Sequence, residues 1–152
     1  MADNIYYSFY DYVTDIKRLT RQLRDYQFDL IVGVARGGCI PAIPLSHNLS
    51  VPYTSIDFSL RDGVNINPQN VYTFFESVTG RYKNILLVDD LVDSGNSMKQ
   101  LILVVQNFTS PSVATLLRNV DVDLGVPHFC GTEFSRKKEP RYFDFWWECV
   151  NV

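Results

Sequence analysis

The run Ile85-Leu86-Leu87-Val88-Asp89-Asp90-Leu91-Val92-Asp93-Ser94-Gly95-Asn96-Ser97 constrains this chain more than any other segment. Its unbroken apolar start reads as a strand buried on both faces, which is what a helix-covered parallel sheet requires. Two acids follow where the strand ends, and a small polar turn containing Gly95 leads into the apolar pattern of a helix. Ser94 to Ser97 therefore fall at a helix N-terminus, where backbone N–H groups and hydroxyls favour a phosphate. Asp89 and Asp90 would repel that phosphate unless a cation such as Mg²⁺ intervenes, or unless the ligand offers hydroxyls for them to accept. A phosphorylated ribose offers both phosphate and hydroxyls. Asp93 alone is explicable as a helix cap, but two further adjacent acids at a buried strand end are costly without a ligand.

The rest of the chain supplies the partners such a strand needs. Tyr12, Ile16, Leu19 and Leu23 recur at helical spacing within 8–24, with Ser8 as a candidate N-cap and Lys17, Arg18, Arg21 and Arg24 between them. Phe28 to Ala35 reads as a short buried strand, broken by Arg36-Gly37-Gly38, and Ile40 to Leu49 resumes as a helix with Pro41 near its first turn. Tyr53 to Phe58 reads as a strand, and Ser59 to Asn70 is polar and irregular in the manner of a functional loop. Val71 to Ser77 has strand character, Asn84 to Asp90 is the central strand, a helix extends to about Phe108, and Ser112 to Leu117 is a further strand. The segment from His128 to Val150 is aromatic-rich with strand character. Alternating strands and helices with apolar strand cores imply an α/β fold built on a mainly parallel sheet. Ligands of such sheets lie outside the carboxyl ends of the strands. Arg36 and Asp89 both fall at such ends, so two separate features converge on one crevice.

Composition excludes several alternatives. The 152 residues suit a single domain, and 46% hydrophobic with 20% charged residues is ordinary for a globular protein. A formal net charge of −3 argues against a general nucleic-acid or membrane-surface role. No apolar run reaches the length of a membrane span, and the N-terminal sequence lacks a basic-then-apolar signal layout. Cys39, Cys130 and Cys149 have no C-x-x-C spacing, which suggests reduced thiols in a cytoplasmic setting. No P-loop lysine motif and no G-x-G-x-x-G occurs. His47, His128, Cys39 and Cys130 read as core or partly buried residues, and Arg136-Lys137-Lys138 as a solvated loop.

The central motif resembles the 5-phosphoribosyl 1-pyrophosphate (PRPP) signature of type I phosphoribosyltransferases. Ala35-Arg36-Gly37-Gly38 resembles the pyrophosphate loop of the xanthine-guanine enzymes, and Arg141-Tyr142-Phe143-Asp144-Phe145-Trp146-Trp147-Glu148 is similar to their C-terminal segment. The resemblance implies the type I fold with a small C-terminal hood over about 119–152. It implies that Asp89 and Asp90 engage the ribose hydroxyls directly or through Mg²⁺, and that Ser94, Gly95, Asn96 and Ser97 hold the 5′-phosphate. Arg36 and Gly37 would hold the pyrophosphate, with a cis peptide at Arg36-Gly37.

An aspartate at position 93 resembles the 6-oxopurine branch, where it lies near N7 of the base and assists catalysis. Arg118 aligns with a lysine that donates to O6 of the base. Tyr142 would stack on the purine, Phe143 and Asp144 would make backbone contacts, and Glu148 would meet its amino edge or order nearby water. Asn96 stands where glycine is common, a position asparagine tolerates at left-handed angles. The family's mobile catalytic loop would fall within 59–80, with Ser59 and Arg61 as candidates. The expected function is purine salvage, making a 6-oxopurine nucleoside 5′-monophosphate from PRPP and hypoxanthine, guanine or xanthine in a cytoplasmic homo-oligomer, a dimer or tetramer. The alternatives are a non-catalytic PRPP- or nucleotide-binding regulator on the same fold, or an enzyme for another base.

Overall fold

A computed structural model describes residues 3–58 and 67–148. Its centre is a parallel sheet of β2 (Leu30–Ala35), β3 (Tyr53–Asp57), β4 (Ile85–Val92), β5 (Ser112–Asn119) and β6 (His128–Phe134), in the order β3-β2-β4-β5-β6. Strand alternation divides the buried residues between two layers. Leu30, Val32, Val34, Ile85 and Leu87 pack with Val71 and Phe75 of α3 (Pro68–Thr79) and with Met98, Leu101, Ile102 and Val105 of α4 (Asn96–Val105). Ile31, Leu86, Val88, Ala114 and Leu116 pack with Ile16, Leu19 and Leu23 of α1 (Phe9–Leu23) and Ala42 and Leu45 of α2 (Cys39–Leu49). A small second sheet joins β1 (Ile5–Tyr7) in parallel to β7 (Phe143–Phe145), so the aromatic segment near the C-terminus is held to the start of the chain. No helix among the described residues is long and apolar enough to cross a membrane.

The α/β sheet with its flanking helices agrees with the sequence reading, as does α1, whose Ser8 cap forms a complete capping box with Asp11. One element is corrected. The strand expected at Val71 to Ser77 is the body of helix α3. Its β-branched and aromatic residues suggested a strand, but Asn67 accepts from the Gln69 amide as N-cap, and Pro68 occupies the first helical turn. Val71, Phe75 and Thr79 then fall four apart on the buried face. The second part of the segment expected to hold the catalytic loop, 59–80, is this helix. Residues 59–66, with the candidates Ser59 and Arg61, lie outside the described residues.

Topology creates the site. From β2 the chain proceeds outward to β3, then crosses back so that β4 lies on the other side of β2. Loops leaving β2 and β4 therefore diverge, which opens a crevice at their carboxyl ends. The register locates the opening. β2 pairs with β4 only through Gly33↔Val88, while β4 continues through Asp89 to Val92 along β5 alone. The first residue of β4 beyond its β2 partner is Asp89.

Candidate functional site

A cavity of about 870 Å³ lies at this switch point. Arg36 and Gly37 line it from β2, Asp89, Asp90 and Asp93 from the end of β4, Ser94 to Ser97 from the turn into α4, and Trp147 and Glu148 from the C-terminal segment. The structure thus gathers residues that are distant in the sequence around one space.

The β2–α2 turn approaches β4 very closely. A Cβ on Gly37 would fall 2.0 Å from Oδ2 of Asp90, and one on Gly38 would fall 2.3 Å from the carbonyl oxygen of Val88. Only glycines fit, and that is why the Arg36 turn can sit against the acids. The cis peptide of this turn is at Ala35–Arg36, one bond before the Arg36–Gly37 position that the resemblance implied. Asp90 is buried and Asp89 half-buried, and the Asp90 amide donates to Oδ1 of Asp89 at 2.9 Å.

The turn from β4 into α4 is set by Gly95, whose φ of 80° and ψ of 0° are left-handed. It is Gly95 and not Asn96 that needs this conformation, since Asn96 already begins α4. Ser94 Oγ accepts from the Asn96 amide at 3.3 Å. The alternative role of Asp93 as a helix cap is thereby removed: the cap position belongs to Gly95, and the Asp93 carboxylate goes elsewhere.

It goes to Arg136. Arg136 Nε donates to Asp93 Oδ1 and Nη2 to Oδ2, each at 2.9 Å, a bidentate pair between half-buried side chains. Arg136 is therefore no solvated loop residue. Its amide donates to Asn119 Oδ1 at 3.1 Å, and Asn119 Nδ2 donates to the Asp93 carbonyl at 2.9 Å, so the end of β5 ties both loops together. Ser135 Oγ and the Lys137 amide donate to the Asp121 carboxylate, and these bonds hold that carboxyl below its usual range.

Four expected base-binding residues are not among those lining the crevice. Arg118 Nη1 donates to the His128 carbonyl at 3.2 Å, and its buried Nε has no hydrogen-bond partner among the described residues. Strand alternation explains this departure, because neighbours on β5 face opposite ways and it is Asn119 that reaches Asp93. Tyr142 is 68% exposed with its ring centroid 5.5 Å from the Arg136 guanidinium carbon. Phe143 and Asp144 belong to β7, paired with Ile5 and Tyr6, and Asp144 Oδ1 accepts from Asn4. Glu148 does reach the crevice.

Three residues escaped the sequence reading: Asp57, Trp147 and Arg136. Asp57 ends β3 opposite Ala35 and lines the cavity, so the carboxyl-end rule that found Arg36 would have found it. Trp147 stacks on Phe145, ring centroids 4.5 Å apart. No local signal marks Arg136, whose acid lies 43 residues away.

Among known proteins, the family described as phosphoribosyl transferase domain matches residues 6–118. A transcriptional regulator GfcR from Methanococcus maripaludis is 28% identical over 104 residues, covering 62% of this chain and 46% of the relative. A xanthine-guanine phosphoribosyltransferase from Chromohalobacter salexigens is 32% identical over 85 residues, covering 56% of this chain and 51% of the relative. The chain thus spans about half the length of these curated relatives. The crystal structure of a purine phosphoribosyltransferase from Pyrococcus horikoshii superimposes with a TM-score of 0.73 at 26% identity, over 99% of this chain and 98% of that one.

Proposed function

The chain belongs to the phosphoribosyl transferase domain family, and from that membership we propose that it is a purine salvage enzyme acting on 6-oxopurines. In this reaction the bond from C1′ of PRPP to pyrophosphate breaks, a bond from C1′ to N9 of the base forms, and the base gives up its proton. The observation that carries this reading is the convergence of Arg36, Gly37, Asp89, Asp90, Asp93 and Ser94–Ser97 on one cavity. The turn at Ser94–Ser97 would hold the 5′-phosphate at the N-terminus of α4. Arg36 and the Gly37 backbone would hold pyrophosphate, and Asp89 and Asp90 the ribose hydroxyls. Asp93 would accept or steer the base proton, and Glu148 would meet the purine edge. The transition state is a developing cation at C1′, so orientation and fixed charge carry most of the acceleration.

Asp89 and Asp90 also fit a Mg²⁺ ion. Adjacent carboxylates are hard oxygen donors, and Mg²⁺ characteristically takes one or two of them and completes its octahedron with water and substrate phosphates. No larger cluster of metal-ligating side chains occurs among the described residues. When bound, the ion would neutralise charge on the departing pyrophosphate.

The test is turnover with PRPP and Mg²⁺ against hypoxanthine, guanine, xanthine, adenine, uracil and orotate. Nucleotide formation from 6-oxopurines alone is expected, and Asp93→Asn should lower turnover by about 10²-fold or more. A second reading, a non-catalytic regulator that binds PRPP or a nucleotide, is favoured by the ion pair that engages Asp93 and by similarity to a transcriptional regulator. PRPP binding without turnover of any base would select it.

A further inference from the structure

The crevice acid Asp93 already holds a planar cation of the protein itself. The Arg136 guanidinium engages both oxygens of Asp93. Its Nη1 donates to the carbonyls of Glu139 and Arg141. Its carbon lies 5.0 Å from the ring centroid of Phe134, 5.5 Å from that of Tyr142 and 5.9 Å from that of Phe143. The acid assigned to the base proton and the ring assigned to stacking are therefore both in contact with one side chain of the protein itself.

We propose that the Arg136 guanidinium occupies the acceptor-base subsite, and that an incoming purine must displace it. This inference rests on the functional reading above. The chemistry of the two occupants is alike: each is a flat group that offers N–H donors to a carboxylate and a face to an aromatic ring. Displacement requires movement of the side chain alone. The Arg136 backbone is held by Asn119 and its neighbours by Asp121, so only the side chain has to swing, and it is 23% exposed. Every interaction that the guanidinium makes in this subsite must be lost before Asp93 can receive a proton from the base. The phosphate turn and the Arg36-Gly37 turn are not among its partners. Arg136 thus sets the affinity for the base and leaves affinity for the phosphorylated ribose unchanged.

Calorimetry separates the two affinities without requiring turnover. Ribose 5-phosphate is titrated into the full chain with Mg²⁺, and hypoxanthine, guanine or xanthine is then titrated into the saturated protein, for wild type, Arg136→Ala and Arg136→Lys. The expected result is base binding tighter by about tenfold or more in Arg136→Ala, the scale of a lost charge-assisted bond. Ribose 5-phosphate affinity should stay within about twofold, since the bonds of Arg136 go to Asp93, Glu139 and Arg141 and to neither anion turn. Arg136→Lys, which keeps the charge without the fork or the plane, should shift base affinity in the same direction by less, and it serves if the alanine variant does not fold. Base affinity unchanged or weakened in a folded variant overturns the inference and leaves the functional reading standing, as does loss of ribose 5-phosphate binding in a folded variant alone. A wild-type chain that binds neither ribose 5-phosphate nor PRPP overturns both.

Discussion

A methyl group at residue 37 has nowhere to go. It would meet the Asp90 carboxylate, which is itself buried between the β2–α2 turn and the sheet. Gly37→Ala should therefore push the Arg36 turn off the acids, weakening PRPP or pyrophosphate binding by about tenfold or more, as a misplaced anion site does. Far-UV circular dichroism should be unchanged, and binding by calorimetry equal to wild type would show that the turn can shift without consequence. At this scale much of the site was legible, because Asp89, Asp90 and Ser94–Ser97 owe their placement to local strand-turn-helix chemistry. Arg136 was not legible. Its basic neighbours imitate a solvated run, and only a contact made across 43 residues reveals its role.

Elements were read well where their ends carry chemistry. In α1, Ser8 accepts from the Asp11 amide while Asp11 accepts from the Ser8 amide and hydroxyl. Ser8→Ala removes both bonds of the hydroxyl, leaves the one from the Ser8 amide, and should cost about 1 kcal/mol in urea denaturation. A change below about 0.3 kcal/mol would mean that packing of the buried face of α1 holds the helix without the cap, since even weak caps are worth more. The misread element, α3, teaches the converse. Its interior favours strand by residue type, and the cap at Asn67 and Pro68 with a four-residue apolar period overrides that preference. Arg118 adds a second limit: its strand was expected correctly, but which way a side chain faces depends on register with β4 and β6, a one-residue matter.

Across the whole molecule, the packing of β5 against β6 predicts how stability depends on pH. Burial, together with the nearby charge of Arg118, pushes the His128 imidazole down to about 4 from 6.5. The folded chain resists protonation there while the unfolded chain accepts it, so this contribution is complete above pH 6.5 and is lost as pH falls toward 4. Between pH 7.5 and 4.5 wild type should lose on the order of 2–3 kcal/mol more stability than His128→Gln. Parallel losses in urea melts of the two proteins would remove His128 from the account. Asp15, raised by burial against the hydrogen bonds of Tyr7 and Thr132, acts with the opposite sign and is common to both proteins, so the comparison isolates the imidazole. The amino-acid sequence by itself determined the α/β class, the buried central strand and the small polar turn into α4, because each follows from periodicity, propensity and helix-end chemistry within a few residues. Only the tertiary structure decided that β2 and β4 part at Asp89, that Asn119 and not Arg118 meets Asp93, and that Arg136 pairs with the Asp93 carboxylate. Those depend on strand order, register and long-range charge pairing, which are set by the packing of the whole sheet.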